Sequence, residues 1–138
     1  MASVTLEAYL FFNGSCREAM EFYKTVFGGE LTIQTHGEAM GEHADPNMKD
    51  KIMHARLEGD VVLMGSDDMG DIPKESARVS LSLMGDDEAE LRKIFDALSA
   101  GGKVVHPLEK QFWGDTFGDL RDKYGMSWMV NINAVKED

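Results

Sequence analysis

Short apolar runs alternate along the chain with polar, glycine-marked breaks, and the runs carry two different periods. Leu6 to Phe12 is apolar and aromatic, too short for a helix, and ends at Asn13-Gly14, which predicts a buried strand followed by a turn. A helix follows, with Ser15 as its N-cap and Glu18 three residues on. Ala19, Met20, Tyr23, Val26 and Phe27 recur at helical spacing before Gly28-Gly29 ends it. Leu31 to Thr35 alternates as a strand does. His36 to Asp50 shows little periodicity around Gly37, Gly41 and Asp45-Pro46-Asn47 and reads as a loop. Lys51 to Leu57 and Val61 to Gly65 are two strands joined across Glu58-Gly59-Asp60, a tight-hairpin composition. Ser66 to Ser76 reads as a second long loop, the joint between two halves.

The order of elements then repeats. Arg78 to Met84 predicts a strand, Gly85-Asp86-Asp87 a turn and helix cap, and Leu91, Ile94, Phe95 and Leu98 the stripe of a helix closed by Gly101-Gly102. Lys103 to His106 is the next strand, with Pro107 as its stop. Thr116 to Arg121 and Ser127 to Ile132 form a second hairpin over Asp122-Lys123-Tyr124-Gly125. Strand, helix and three strands therefore occur twice, each helix closed by a glycine pair. The duplication is read from element order and glycine placement, since matched residues between the halves are few. Two copies of so long a unit predict paired modules rather than a solenoid.

Composition sets the bounds on this picture. At 138 residues, 43% hydrophobic and 28% charged, the chain fits one ordinary globular domain. A net charge of −11 repels nucleic-acid phosphates and anionic membranes, so neither is an expected partner. No apolar run approaches the roughly 20 residues that cross a bilayer, and Met1-Ala2-Ser3-Val4 lacks the basic and apolar regions of a signal peptide, so a cytoplasmic location is expected. Cys16 is the sole cysteine, which excludes an internal disulfide and fits a reducing compartment. At the start of a helix it reads as structural rather than reactive.

Three stretches carry a family resemblance. Tyr9-Leu10-Phe11-Phe12-Asn13-Gly14, the helix Glu18-Ala19-Met20-Glu21-Phe22-Tyr23 ending in Val26-Phe27-Gly28-Gly29, and Phe112-Trp113-Gly114-Asp115 with Asp122-Lys123-Tyr124-Gly125-Met126-Ser127-Trp128 resemble PhnB-like proteins, a branch of the vicinal-oxygen-chelate (glyoxalase and bleomycin-resistance) superfamily. The resemblance spans nearly the whole chain. It implies an α+β fold of two βαβββ modules forming an eight-stranded, open, barrel-like cup. Residues 1–138 would be a single domain, with module 1 at about 4–66 and module 2 at about 77–134. It also implies a homodimer and a small-molecule ligand in the cup.

Metal-dependent members of the superfamily place His, Gln or Glu on the first and last strands of each module. The corresponding positions here fall at Tyr9, near Leu63, at Ser80 and at Met129. None is a good ligand for a divalent ion. A register shift of one brings in Ala8, Val62, Met64, Val79, Trp128 or Val130, which do not rescue the site. The expectation is therefore no cofactor and no metal, because a site without its donors cannot hold the ion.

His54 is the histidine of most interest. Mid-strand alternation puts it on one face with Ile52 and Arg56, where it either touches ligand as a hydrogen-bonding or general-base group or sits satisfied in the core. His36, Glu38 and His43 match no metal spacing and read as a solvated loop, and His106 before Pro107 reads as a strand terminus. No dinucleotide, P-loop or nucleophile-elbow motif is present. PhnB-like sequences often carry a demethylubiquinone methyltransferase label. The glycine-rich strand-to-helix turn expected for a methyl donor is missing, so that label is discounted.

With Tyr9, Leu63, Ser80 and Met129 in place of metal ligands, the expected site is apolar with a few hydroxyls, its walls completed by Phe11, His54, Ser82, Phe112 and Trp113. Three functions remain open: a metal-independent binder of a small, largely apolar or aromatic molecule; a metal-dependent lyase, isomerase or dioxygenase with non-standard ligands such as His54; and a dimeric interaction domain whose cup is filled by side chains.

Overall fold

In the computed structural model, which describes residues 6–67 and 79–134, the apolar opening run becomes β1 (Ala8–Phe12) and the first helical stripe becomes α1 (Cys16–Phe27). β2 (Glu30–Thr35), β3 (Ile52–Glu58) and β4 (Val62–Asp67) complete a mixed sheet of order β1-β4-β3-β2, in which β1 and β4 are parallel and the other neighbours antiparallel. This is a βαβββ unit. The helix is required to carry the chain across the sheet so that β1 and β4 can run side by side in the same direction.

Cys16, Ala19, Met20 and Tyr23 are the buried stripe of α1, one turn earlier than the sequence pattern places it. They cover one face of the sheet: a Cβ added to Gly65 would stand 3.3 Å from Cys16 Sγ. Leu10, Phe12, Ala55, Leu57 and Leu63 are buried on that face. Ser15 makes no side-chain cap. The Cys16 N–H instead donates to Asp67 Oδ1 at 3.0 Å, while Asp67 Oδ2 accepts from the Ile52 N–H at 2.9 Å. A buried carboxylate 51 residues away thus replaces the local cap.

The expected loop from His36 to Asp50 contains a short helix, α2 (His36–Met40), and a 3₁₀ turn at Gly41–His43. Thr35 and Glu38 form a reciprocal capping box at its start.

The second unit repeats the pattern with β5 (Leu81–Gly85), α3 (Glu88–Ser99), β6 (Lys103–Lys110), β7 (Thr116–Arg121) and β8 (Ser127–Ile132), in sheet order β5-β8-β7-β6. Asp87 caps α3 by accepting from the Glu90 N–H, and Leu91, Phe95 and Leu98 are the helix's buried residues. A Cβ at Gly85 would meet Leu91 Cδ1 at 3.6 Å, which fixes the helix-covered face as that of Trp128, Val130, Ile132 and Leu120. β6 does not stop at Pro107 but continues to Lys110; it is an edge strand, where a residue without an N–H leaves no ladder bond missing. β5 starts at Leu81, so Ser80 precedes it; Arg78 and most of the Ser66 to Ser76 segment lie outside the described residues.

The glycine pairs have the same job in both units. Gly28 and Gly101 take positive φ of 72° and 76° at the helix ends. The second glycine of each pair then lets two backbones touch: a Cβ on Gly29 would lie 2.7 Å from Glu58 O, and one on Gly102 would collide with Arg121 O. The chain divides into two compact units, Met1–Ile72 and Pro73–Asp138. No helix among the described residues is long and apolar enough to cross a membrane.

Candidate functional site

Each sheet has one face closed by its helix and one face left open. On the first unit, register assigns the open face: Tyr9 lies opposite Met64, Met64 opposite Arg56, and Arg56 opposite Thr32. Phe11 follows Tyr9 on β1, and His54 precedes Arg56 on β3. Leu63 belongs to the other face and is 4% exposed, so it is a core residue. The residue that takes its expected place is its neighbour Met64.

His54 shares the open face with Arg56 but not with Ile52, which is 1% exposed. The pairing slips between Gln34 and Thr35, so that Gln34 faces His54 while Thr35 faces Ile52. That irregularity turns the two residues of β3 to opposite sides.

The open face divides into two regions. At β1, Tyr9 and Phe11 stand with ring centroids 5.2 Å apart, and Tyr9 and His54 with centroids 5.8 Å apart. Tyr9 Oη lies 3.2 Å from His54 Nδ1, a hydrogen bond that ties the imidazole orientation to the phenol and leaves Nε2 as its second polar atom. Phe11 is 50% exposed, a large apolar ring turned to solvent. Such a cluster of rings with one hydrogen-bonding tip is suited to stacking a flat or apolar molecule and orienting it through one polar group.

Towards β2 the face is ionic. Arg56 donates to both Glu7 oxygens, at 3.0 and 3.3 Å, and to Glu58 at 3.3 Å. Its hydrogen bond and charge hold the Glu7 carboxyl below the usual carboxylate range, and Glu7 and Glu58 together push the guanidinium up. A cleft of about 240 Å³ lined by Glu30, Thr32, Arg56 and Glu58 lies here. Arg56 is thus occupied by two carboxylates and is not a free anion receptor.

The open face of the second unit is sparser. Ser82 lies opposite Met129, and Met129 opposite Asp119. Ser80 Oγ and Ser127 Oγ are 2.6 Å apart and satisfy each other. Phe112 and Trp113 sit on the β6–β7 connection in an edge-to-face pair with centroids 4.9 Å apart, Phe112 being 97% exposed. The structure therefore joins Tyr9, Phe11 and His54 in one cluster, and Ser82 and Met129 in another. Phe112 and Trp113 form a pair of their own.

The repeat shows which positions of the two units correspond to those where metal-dependent relatives carry ligands. Tyr9 and Ser82 are the matching residues of the first strands, each facing a methionine of the last strand, Met64 or Met129. Within each unit the pair, a phenol or hydroxyl beside a thioether, offers neither the imidazole nor the carboxylate donors that a hard or borderline divalent ion requires, so these residues do not fit it. Among the described residues no group of three or more His, Cys, Asp or Glu side chains is assembled to hold a metal ion.

The late aspartate–tryptophan motif is structural. Asp122 Oδ1 accepts from the Tyr124 and Met126 N–H groups and Oδ2 accepts from Trp128 Nε1 at 2.8 Å, closing the β7–β8 turn on the buried side. Asp115 similarly accepts from the Ala134 N–H and Asn131 Nδ2, which lowers its pKa, the backbone bond contributing most. Missed by the sequence reading was His106, whose Nδ1 is 2.6 Å from Asp119 Oδ1. Its signal was obscured because Pro107 suggested that the strand had already ended.

Comparison with known proteins agrees with this architecture. Residues 5–131 match the family described as 3-demethylubiquinone-9 3-methyltransferase. Protein YjdN of Escherichia coli is 30% identical over 139 residues, covering 92% of this chain and 94% of that protein. The crystal structure of PA1353 from Pseudomonas aeruginosa superposes with a TM-score of 0.79 at 40% identity, covering 96% of this chain and all (100%) of the other. A PhnB protein structure from Bacillus cereus gives a TM-score of 0.77 at 24% identity, with coverages of 94% and 100%.

Proposed function

For this chain, which belongs to the 3-demethylubiquinone-9 3-methyltransferase family, the PhnB-like branch of the vicinal-oxygen-chelate superfamily, we propose a metal-independent role in binding a small, largely apolar or aromatic molecule. The observation that carries it is the Tyr9–Phe11–His54 cluster: three rings on the sheet face that α1 leaves open, with Phe11 half exposed and one imidazole nitrogen beyond the Tyr9 bond. Leaving Phe11 half exposed on a sheet face forgoes about half of the 1.5–3 kcal/mol that full burial of such a ring contributes, a cost that a bound apolar partner removes. Met64, next to Tyr9 across the sheet, supplies a soft contact that adapts to ring edges.

Methyl transfer is not part of the proposal. The turn between β1 and α1 holds one glycine, Gly14, and the first N–H of the helix is taken by the buried Asp67 carboxylate. A second negative group brought to that turn, such as the carboxylate of a methyl donor, meets a like charge instead of free amides.

Thermal denaturation of chelator-treated protein tests the reading. With 4-nitroanisole as probe, the midpoint rises in the wild type as ligand is added and the rise is lost in Phe11→Ala, since binding to the folded state alone stabilises it by about 2.7 kcal/mol at 100 times Kd. Stoichiometric zinc, nickel, manganese or iron in purified protein that disappears in His54→Ala contradicts the proposal.

A further inference from the structure

The second unit holds an imidazole–carboxylate pair that the Tyr9–Phe11–His54 cluster does not use. His106 Nδ1 lies 2.6 Å from Asp119 Oδ1. An ionised carboxylate accepts hydrogen bonds and donates none, so the proton sits on Nδ1, and in the neutral imidazole Nε2 is left with a lone pair. The His106 side chain is 70% exposed, and no described residue bonds its Nε2.

An irregular stretch of β6 brings the two side chains to one face. Val104 lies opposite Leu120 and His106 opposite Asp119, so β6 spends two residues where β7 spends one. Unbroken pairing would set Val105 against Asp119 and turn His106 to the helix-covered face. A second slip follows between His106 and Glu109. The displaced β6 backbone rests on Gly118, where a Cβ would lie 2.9 Å from both His106 O and Leu108 N. An incidental surface ion pair contributes little and needs neither irregularity nor a side-chain-free contact beneath it.

We propose that His106 and Asp119 form a proton-accepting site for a weakly acidic aromatic hydroxyl compound, a phenol, lying on the open face of the second sheet. Asp119 faces Met129, Met129 faces Ser82, and Phe117 stands two residues from Asp119 on the same face of β7. A thioether and a phenyl ring therefore flank the dyad as surfaces for the ligand ring. On binding, the ligand O–H bond breaks and its proton forms an N–H bond at Nε2. The electron pair stays on the phenolate oxygen, and the imidazolium lies between that oxygen and the Asp119 carboxylate; nothing is oxidised or reduced. The remaining charged groups on β6 and β7 are Lys103 and Arg121 at one end and Glu109 and Lys110 at the other. α3 packs on the opposite face.

The proposal rests on the reading of the open faces as ligand surfaces, and the full chain tests both separately. 4-Nitrophenol is added near the pH at which the free compound is half ionised, and the rise of its visible phenolate band is followed. The wild type increases the band saturably. His106→Gln abolishes the increase and weakens binding roughly tenfold or more, the usual loss for a charge-assisted hydrogen bond. Asp119→Asn also abolishes it. Gly118→Ala, which keeps both dyad residues, diminishes it, with circular dichroism showing that each variant is folded. A bound but neutral nitrophenol, or a band that persists in His106→Gln or Asp119→Asn, overturns the dyad while wild-type binding of 4-nitroanisole leaves the open-face reading standing. Binding of neither compound to the wild type overturns both.

Discussion

A single residue step decides whether position 63 or position 64 meets a ligand. Leu63 is packed under α1 on the side of Leu10 and Leu57, whereas Met64 faces Tyr9 and Arg56. Leu63→Ala is expected to cost about 2–5 kcal/mol of stability, read by urea denaturation, with little direct effect on ligand affinity. Met64→Ala, at a half-buried position, is expected to cost less stability than Leu63→Ala while weakening binding of 4-nitroanisole. Period-2 alternation is legible in the sequence, but which parity faces inward depends on the face that α1 covers, and that is tertiary information. The same distinction governs Cys16. Burial, reinforced by the negative Asp67, pushes its thiol up to about 12 from an ordinary 9.0. Iodoacetamide is expected to leave native Cys16 unmodified at neutral pH and to label it promptly in denaturant. The fold retains that proton while the unfolded chain releases it, so stability is undiminished below 9.0 and declines as pH rises from there towards 12.

At the scale of elements, the order strand–helix–three strands was legible twice over, and β7 and β8 fall on their predicted bounds. Short apolar runs flanked by turn residues define such elements locally. Features that local pattern does not define are set at a distance or by a subtler signal. Ser15 stands at the N-cap as its pattern predicts, but its side chain makes no cap bond, and Asp67 satisfies the first helix N–H from another strand instead. Thr35-x-x-Glu38 is a local capping box, and could have revealed α2 inside the supposed loop. Pro107 stops a central strand but not an edge strand, and edge status is known only once the sheet order is. The glycine pairs were read as helix stops; their second members are in addition contact points between backbones. Gly102→Ala drives a methyl into Arg121 O and is expected to destabilise the protein by about 3 kcal/mol or more, measured by thermal or chemical denaturation. Gly85→Ala, whose Cβ would be 3.6 Å from Leu91 in ordinary contact, serves as the mild comparison.

For the molecule as a whole, duplication gives two sheets of the same topology whose open faces have diverged in chemistry. The first presents rings beside an ion-paired arginine, the second a methionine, serines and an imidazole–carboxylate pair. The corresponding first- and last-strand positions of each carry side chains that grip a divalent ion poorly, so ligand is expected to bind without metal. The most direct measurement is nuclear magnetic resonance of chelator-treated, isotopically labelled protein titrated with 4-nitroanisole. Saturable shifts of the Tyr9 and Phe11 ring signals and of the His54 imidazole are expected before any metal is restored. Signals at these three residues that stay still throughout, or that move only after zinc is added back, would contradict it.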